Sequence, residues 1–354
     1  MALTTLWFII GLIALIWGAE VLVRYSSKLA AALGVSKLVI GLTVVAFGTS
    51  APELAVGIEA GLMDQPDILM GNVIGSNLTN TLLILGLASL IIPLQVHKNL
   101  IRFDLPVMIV STFILILLSL NNIISFWECI ILVVCLFVYL YALVRFSGKS
   151  RLTDDEITEA GSPWLNGLLS VVGLVLLIAG ARWMVESATI FAKMAGVSEL
   201  VIGLTIVAIG TSLPEIVTSI LAAVRGEKDL AVGGIVGSNI LNILSVIGIS
   251  GLFISGIPVQ ETLLHVEYVV LMGVMILCFP IFFTGRRIKR VEGGIFLTSY
   301  ILYLLYLYLN SITSSFLPTF VNGIIYGFVP LVILYVLVAI IIEFRSKSET
   351  KTTS

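Results

Sequence analysis

GVSKLVIGLTVVAFGTSAPEL at residues 34–54 and GVSELVIGLTIVAIGTSLPEI at residues 196–216 are two copies of one sequence. Extended at a constant offset of 162 without a gap, the match aligns residues 34–87 with 196–249, and 26 of the 54 pairs are identical. Shared hydrophobicity does not generate such a match, because the identities include Gly, Ser, Thr, Asn, Pro and Glu. The chain is a duplicated unit. In each copy a G-T-S-x-P-E motif is followed by a second polar motif, GNVIGSNLTN at 71–80 and GGIVGSNILN at 233–242.

The setting of these motifs is apolar. Of the 354 residues 59% are hydrophobic and 11% charged, and the mean hydropathy is +1.15. A soluble domain has about 25% charged residues, so this chain cannot cover itself with polar surface. That excludes a cytosolic enzyme, a nucleic-acid binder and a disordered scaffold, and leaves a polytopic membrane protein. Apolar stretches long enough to span lie near 5–23, 37–60, 67–92, 104–121, 126–146, 164–184, 199–223, 229–255, 264–284, 294–310 and 320–343, eleven in all. Residues 5–23 lack a cleavage site and read as the first span. The one substantial polar linker, 147–163, holds Lys149, Arg151, Asp154, Asp155, Glu156 and Glu159.

Allotting the basic residues to alternate sides puts 17 of 19 on one face, leaving Arg182 and Lys193 on the other. By the positive-inside rule the basic face is cytoplasmic, the N-terminus outside and the C-terminus inside. The repeat period contains five spans, an odd number, so the second copy enters the membrane from the opposite side. The expected fold is an all-α polytopic membrane protein of two inverted-topology five-helix repeats, ten core helices, plus one extra C-terminal helix. The expected units are 1–146, the cytoplasmic linker 147–163, 164–310, and the appended helix with its tail, 311–354.

Each half carries one acid deep in a span, Glu53 and Glu215. Placing a carboxylate at mid-membrane costs roughly 2.5–3.5 kcal/mol even on lenient scales, so these acids need a function. Glu20, near Arg24, and Glu59, near Asp64, read as interfacial. Pro52 and Pro214 remove a backbone donor and disfavour helix just upstream, while Gly48 and Gly210 permit unusual backbone angles. Each span should break there and free carbonyl oxygens, which are tolerated at membrane depth only where they line a cavity or coordinate something. Ser50 and Ser212 lie about one turn before each Glu. In the second motif Ser76 with Asn80, and Ser238 with Asn242, share a helical face; such residues can simply glue helices together, but against that the motif occurs twice with matched spacing beside the acidic motif. Cys129, Cys135 and Cys278 read as packing residues, and His97 and His265 sit at span edges. The donors are therefore all oxygen, which suits Ca²⁺, Mg²⁺ or Na⁺, and the flexible coordination of Ca²⁺ fits a broken helix best.

The paired G-T-S-x-P-E and G-S-N-x-x-N motifs resemble the α-repeats of the cation/calcium exchanger superfamily, in its Na⁺/Ca²⁺ exchanger branch of prokaryotic type. The resemblance places that family's core binding positions on Ala46, Thr49, Ser50, Glu53, Ser76 and Asn80, and on Ala208, Thr211, Ser212, Glu215, Ser238 and Asn242. It implies Ca²⁺ on the two Glu carboxylates and the two Thr carbonyls, with Na⁺ sites on the Ser hydroxyls and Ala carbonyls. Some relatives, K⁺-dependent ones among them, carry Asp at the position of Asn242. The eleventh span departs from the family's ten-span plan, and the 147–163 linker lacks room for Ca²⁺-sensing domains. The implied activity is Na⁺/Ca²⁺ antiport by alternating access, electrogenic, with Ca²⁺ and Na⁺ as the transported ions and the lipid bilayer of a prokaryotic inner membrane as the setting. Sliding of spans 1 and 6 against the rest is the motion the resemblance implies. The rivals are a Ca²⁺/H⁺ antiporter of the same superfamily, whose members carry a GNxxE-type motif, and a cation channel. An enzyme is disfavoured because neither Ser50 nor Ser212 has a nearby base in the sequence.

Overall fold

The computed structural model describes residues 2–63, 65–146, 161–194, 208–254, 256–261 and 266–352. It is nearly all helix. Nine helices among the described residues are long and apolar enough to cross a membrane: α1 (Leu3–Leu33), α4 (Pro66–Ile91), α5 (Leu100–Ser119), α6 (Phe126–Arg145), α7 (Pro163–Met194), α10 (Lys228–Gly251), α11 (Glu267–Arg286), α12 (Arg290–Ser311) and α13 (Leu317–Arg345). A tenth span is the broken pair α2 (Lys37–Thr49) and α3 (Ala51–Leu62), bent by 44°. Of the expected span 199–223 the described part is α8 (Ala208–Thr211) and α9 (Leu213–Val224). Most of the polar linker, and His265 and Asp64, lie outside the described residues.

Three boundaries differ from the sequence reading. α1 and α7 run about ten residues further than hydropathy indicates. In α1 the extension carries Arg24 and Lys28, each with its charge 5.8 Å from the Tyr25 ring, so long cationic side chains reach the interface while the backbone stays helical. α5 starts at Leu100, not at 104, which draws Asp104 inside the protein at 1% exposure. Glu20, expected near Arg24, instead pairs with Arg225 at 2.5 Å.

The inverted duplication is visible in two short antiparallel ribbons. β1 (Leu94–Gln95) pairs with β4 (Arg287–Ile288), and β2 (Ile123–Ile124) pairs with β3 (Ile257–Pro258). Adding 162 to β1 lands within about two residues of β3, and subtracting it from β4 lands within about two residues of β2. The ribbons are thus mates under the repeat, each joining one half to the other. One closes the turns α4–α5 and α11–α12, the other the turn α5–α6 and the segment before α11.

The described residues form two cores rather than one. The larger holds α10, buried along its whole spanning window, together with α2, α4, α5, α6, α11 and α12. A small separate cluster of Leu15, Ala19, Leu22, Leu177 and Ala181 joins α1 to α7. Glycines let those two helices touch backbone to backbone. A Cβ on Gly18 would lie 2.7 Å from the Gly173 carbonyl oxygen, and one on Gly11 would lie 2.9 Å from that of Gly180. These two contacts are also repeat mates, since 18 maps to 180 and 11 to 173. Small residues permit such close approach in a membrane, where van der Waals packing replaces the hydrophobic drive.

Candidate functional site

Both copies of the G-T-S-x-P-E motif break their helices at the same place and in the same way. Ser50 has φ −84° and ψ 4°, and Ser212 has φ −89° and ψ 5°. Proline follows two residues later, in the first turn of α3 and of α9, where its missing N–H costs nothing. Glu53 and Glu215 fall in those first turns, so each carboxylate sits at the positive end of a half-helix. α2 and the short α8 end at the same points, Thr49 and Thr211.

The second motif is shaped by a feature the sequence does not announce. α4 widens into a π-helical segment at Thr79–Ile84, and α10 at Asn242–Ile247. Asn80 and Asn242 therefore lie on wide turns, a distortion common at functional sites.

The duplication brings the two acids together. The Glu215 carboxylate lies against Thr49 and Ser50 of the other repeat and within electrostatic range of Glu53. Glu53 is 1% exposed, Glu215 3%, and Ala46, Thr49, Ser50, Ser76, Asn80, Ser212, Ser238 and Asn242 are also buried. Thr211 is half-buried, and for Ala208 only the backbone is described. Glu59, by contrast, is exposed, as an interfacial acid should be.

Among the described residues ten buried side-chain polar atoms have no hydrogen-bond partner, and nine of them belong to the two motifs. Seven of the nine are oxygens: Ser50 Oγ, Glu53 Oε2, Asn80 Oδ1, Glu215 Oε2, Ser238 Oγ, Asn239 Oδ1 and Asn242 Oδ1. The other two are Asn77 Nδ2 and Asn80 Nδ2. An unsatisfied buried polar group costs about 1–3 kcal/mol, so their concentration at one spot marks a place for a ligand. Oxygens in that majority call for a cation. No three His, Cys, Asp or Glu side chains converge among the described residues; the centre is a carboxylate pair completed by neutral oxygens, which is the donor chemistry of hard ions.

Asn77 and Asn239 were legible as part of the motif but not as site residues. Asn242 Nδ2 donates to Asn77 Oδ1 at 3.2 Å, which commits the amide nitrogen and turns the unpartnered Oδ1 the other way. Asn239 Nδ2 donates to Thr81 Oγ1 at 2.8 Å, with Met108 sulfur 3.6 Å away, and its Oδ1 is likewise unpartnered. Asn72 Nδ2 donates to the Glu53 carbonyl oxygen at 3.1 Å and ties α4 to the acid-bearing half-helix. A third buried acid, Asp104, accepts a hydrogen bond from the Tyr139 hydroxyl at 3.2 Å. Sequence places it at the first position of the span 104–121, where an acid reads as a span edge. The cysteines are unpaired, Cys129 and Cys278 buried and Cys135 partly so.

Comparisons with known proteins identify the relatives of the chain. The profile of the family described as "Sodium/calcium exchanger protein" matches residues 3–145 and 165–309. A "Putative antiporter CaxA" from Alkalimonas amylolytica is 36% identical over 86% of this chain and 98% of its own. The "Sodium/calcium exchanger MaX1" of Methanosarcina acetivorans is 32% identical over 85% and 97%. Among solved structures, the sodium-calcium exchanger NCX_Mj superposes with a TM-score of 0.76 at 31% identity, over 86% of this chain and 98% of its own.

Proposed function

The chain belongs to the sodium/calcium exchanger family, an integral membrane transporter and not an enzyme, and on that premise we propose that it is a Na⁺/Ca²⁺ antiporter. Glu53 and Glu215, one from each inverted half, hold Ca²⁺ between them together with the carbonyls of Thr49 and Thr211. Na⁺ occupies overlapping positions built from Ser50, Ser212, Ser76, Ser238, Asn80, Asn242 and the carbonyls of Ala46 and Ala208. The observation that carries this reading is the set of seven buried, unpartnered oxygens in the two motifs, two of them from the carboxylate pair itself.

The transport cycle follows from charge. With no ion bound, two carboxylates face each other in a buried, low-dielectric site, and that arrangement resists the passage from one open state to the other. Ca²⁺ cancels the formal charge of −2, and Na⁺ ions do so in its place. Either load permits the switch. The separate core of α1 and α7, with its glycine seam, supports their sliding as a unit past the bundle that holds the site. Three Na⁺ against one Ca²⁺ would carry one net charge per cycle, worth about 2.3 kcal/mol per 100 mV. The basic face is the cytoplasmic one, in a prokaryotic inner membrane.

The test is ⁴⁵Ca²⁺ uptake into proteoliposomes with and without an internal Na⁺ load. Uptake should require the load. Uptake that persists with choline in place of Na⁺ and follows an imposed pH gradient would instead identify Ca²⁺/H⁺ exchange.

A further inference from the structure

Asn80 and Asn242 occupy equivalent places in the two repeats, but only Asn242 is held through its side chain. Asn242 Nδ2 is committed to Asn77, whereas among the described residues neither amide atom of Asn80 has a partner. The aim of the Asn80 amide is therefore set by its backbone. The residue before it carries a tie that reaches another helix. Thr79 Oγ1 and the Tyr300 hydroxyl of α12 share a hydrogen bond at 3.2 Å, and both side chains are buried. Thr112 and Ser89 show the usual course for such hydroxyls in a helix, each donating to the carbonyl four residues earlier. Thr79 instead joins α4 to α12.

The tie falls where α4 changes its pitch. The π-helical segment starts at Thr79 itself. In α10 it starts at Asn242, the counterpart of Asn80, and the position of Thr79 is taken by Leu241, which has no hydroxyl. α12 gives the bond a firm support. A Cβ on Gly86 would lie 3.2 Å from the Gly293 carbonyl oxygen, so α4 and α12 touch backbone to backbone. Seven residues, about two turns, separate Gly86 from Thr79 and Gly293 from Tyr300, which puts both contacts on one seam of an antiparallel pair.

We propose that Tyr300 is a positioning residue of the cation site: through Thr79 it fixes the first residue of the wide turn, and with it the direction of Asn80 Oδ1. The inference rests on the assignment of Asn80 to the Na⁺ positions. Glu53 and Glu215 belong to other helices, α3 and α9. Loss of the tie therefore leaves the Ca²⁺ ligands in place and loosens Na⁺.

Purified full-length wild type, Tyr300→Phe, Thr79→Val, the double variant and Thr79→Ser are titrated with ⁴⁵Ca²⁺, and the bound Ca²⁺ is then displaced with Na⁺. Tyr300→Phe and Thr79→Val should each raise the Na⁺ concentration for half-displacement by about threefold to tenfold, the effect of losing one hydrogen bond. Ca²⁺ affinity without Na⁺ should stay within about twofold of wild type. The double variant should do no more than the larger single effect, because the same bond is lost in every case. Thr79→Ser, which keeps the hydroxyl, should match the wild type. Equal weakening of Na⁺ and Ca²⁺, additive effects in the double variant, or a Thr79→Ser protein that behaves as Thr79→Val overturns the positioning role. So does a lowered unfolding temperature with unchanged Na⁺ displacement, which is the mark of plain helix adhesion. A wild type from which Na⁺ displaces no Ca²⁺ overturns the antiport reading itself, and this proposal with it.

Discussion

The two repeats make the same backbone and then use it differently. Each breaks at a serine near φ −85° to −90° and each widens to a π turn at its second motif. Among the described residues, three side-chain hydrogen bonds of the second motifs have no counterpart in the other repeat. Asn242 donates to Asn77, whereas the corresponding Asn80 has both amide atoms free. Asn239 is drawn away to Thr81, a residue whose counterpart is Ile243. Asn72 ties α4 to the Glu53 carbonyl, but its counterpart is Gly234, where an added Cβ would meet only Val45 at 3.8 Å. Duplication thus supplies the broken helices and the paired acids, and single substitutions between the copies set which oxygens are left without a hydrogen-bond partner.

The largest expected effects are symmetric. Glu53→Gln and Glu215→Gln should each lower Ca²⁺ transport by on the order of a hundredfold or more, because either removes half the formal charge facing a divalent ion in a low-dielectric site. Uptake assays on the purified, folded variants check this. A large loss in one variant only would mean that the halves contribute unequally to the charge. Gly18→Val should come next. Its side chain would drive into the Gly173 carbonyl, at a cost of about 1–3 kcal/mol, so thermal stability should drop and the turnover rate should fall more than Ca²⁺ affinity.

The asymmetric effects are smaller and more discriminating. Asn77→Leu removes the acceptor for Asn242 Nδ2 and leaves that donor buried and unpaired, a cost of about 1–3 kcal/mol. It should weaken apparent Na⁺ or Ca²⁺ affinity by roughly tenfold, and Asn77→Asp, which keeps an acceptor, should restore most of it. Thr81→Val, acting on the other repeat's asparagine, should chiefly lower stability. Both variants are in the first repeat and act on second-repeat asparagines, so equal affinity losses in Asn77→Leu and Thr81→Val would dissolve the distinction between Asn242 and Asn239. The smallest effect belongs to Asn72→Ala, which gives up one partly exposed hydrogen bond worth about 0.5–1.5 kcal/mol; the change should appear in turnover measured with saturating ions. Acid should inhibit both halves alike, since protons compete with Ca²⁺ for the same carboxylates, and Ca²⁺ affinity measured from mildly alkaline to mildly acidic pH should fall as the pH falls.

Much of the site was readable from sequence because its chemistry is costly. An acid and a proline inside an apolar span need a reason, so Glu53, Glu215, Pro52 and Pro214 stand out, and the odd number of spans per repeat dictates the inversion. What sequence could not convey depends on which way a neutral group turns. Asn77 and Asn239 are identical in the two copies, yet their roles differ because their partners, Asn242 and Thr81, come from distant positions. The π turns leave no signature in Thr79–Ile84 or Asn242–Ile247. Asp104 stands at the first position of the stretch 104–121, where an acid reads as a span edge, and the Glu20–Arg225 pair joins residues about 200 positions apart.

The central claim is that the inverted halves build one shared cation site from one carboxylate each. Equilibrium Ca²⁺ binding to the purified wild type, Glu53→Gln and Glu215→Gln proteins tests it most directly. The account predicts one Ca²⁺ per chain in the wild type, displaced by Na⁺, and none retained at comparable affinity in either variant. Two Ca²⁺ per chain, or one variant that keeps wild-type affinity at half the stoichiometry, would show two independent sites and contradict it.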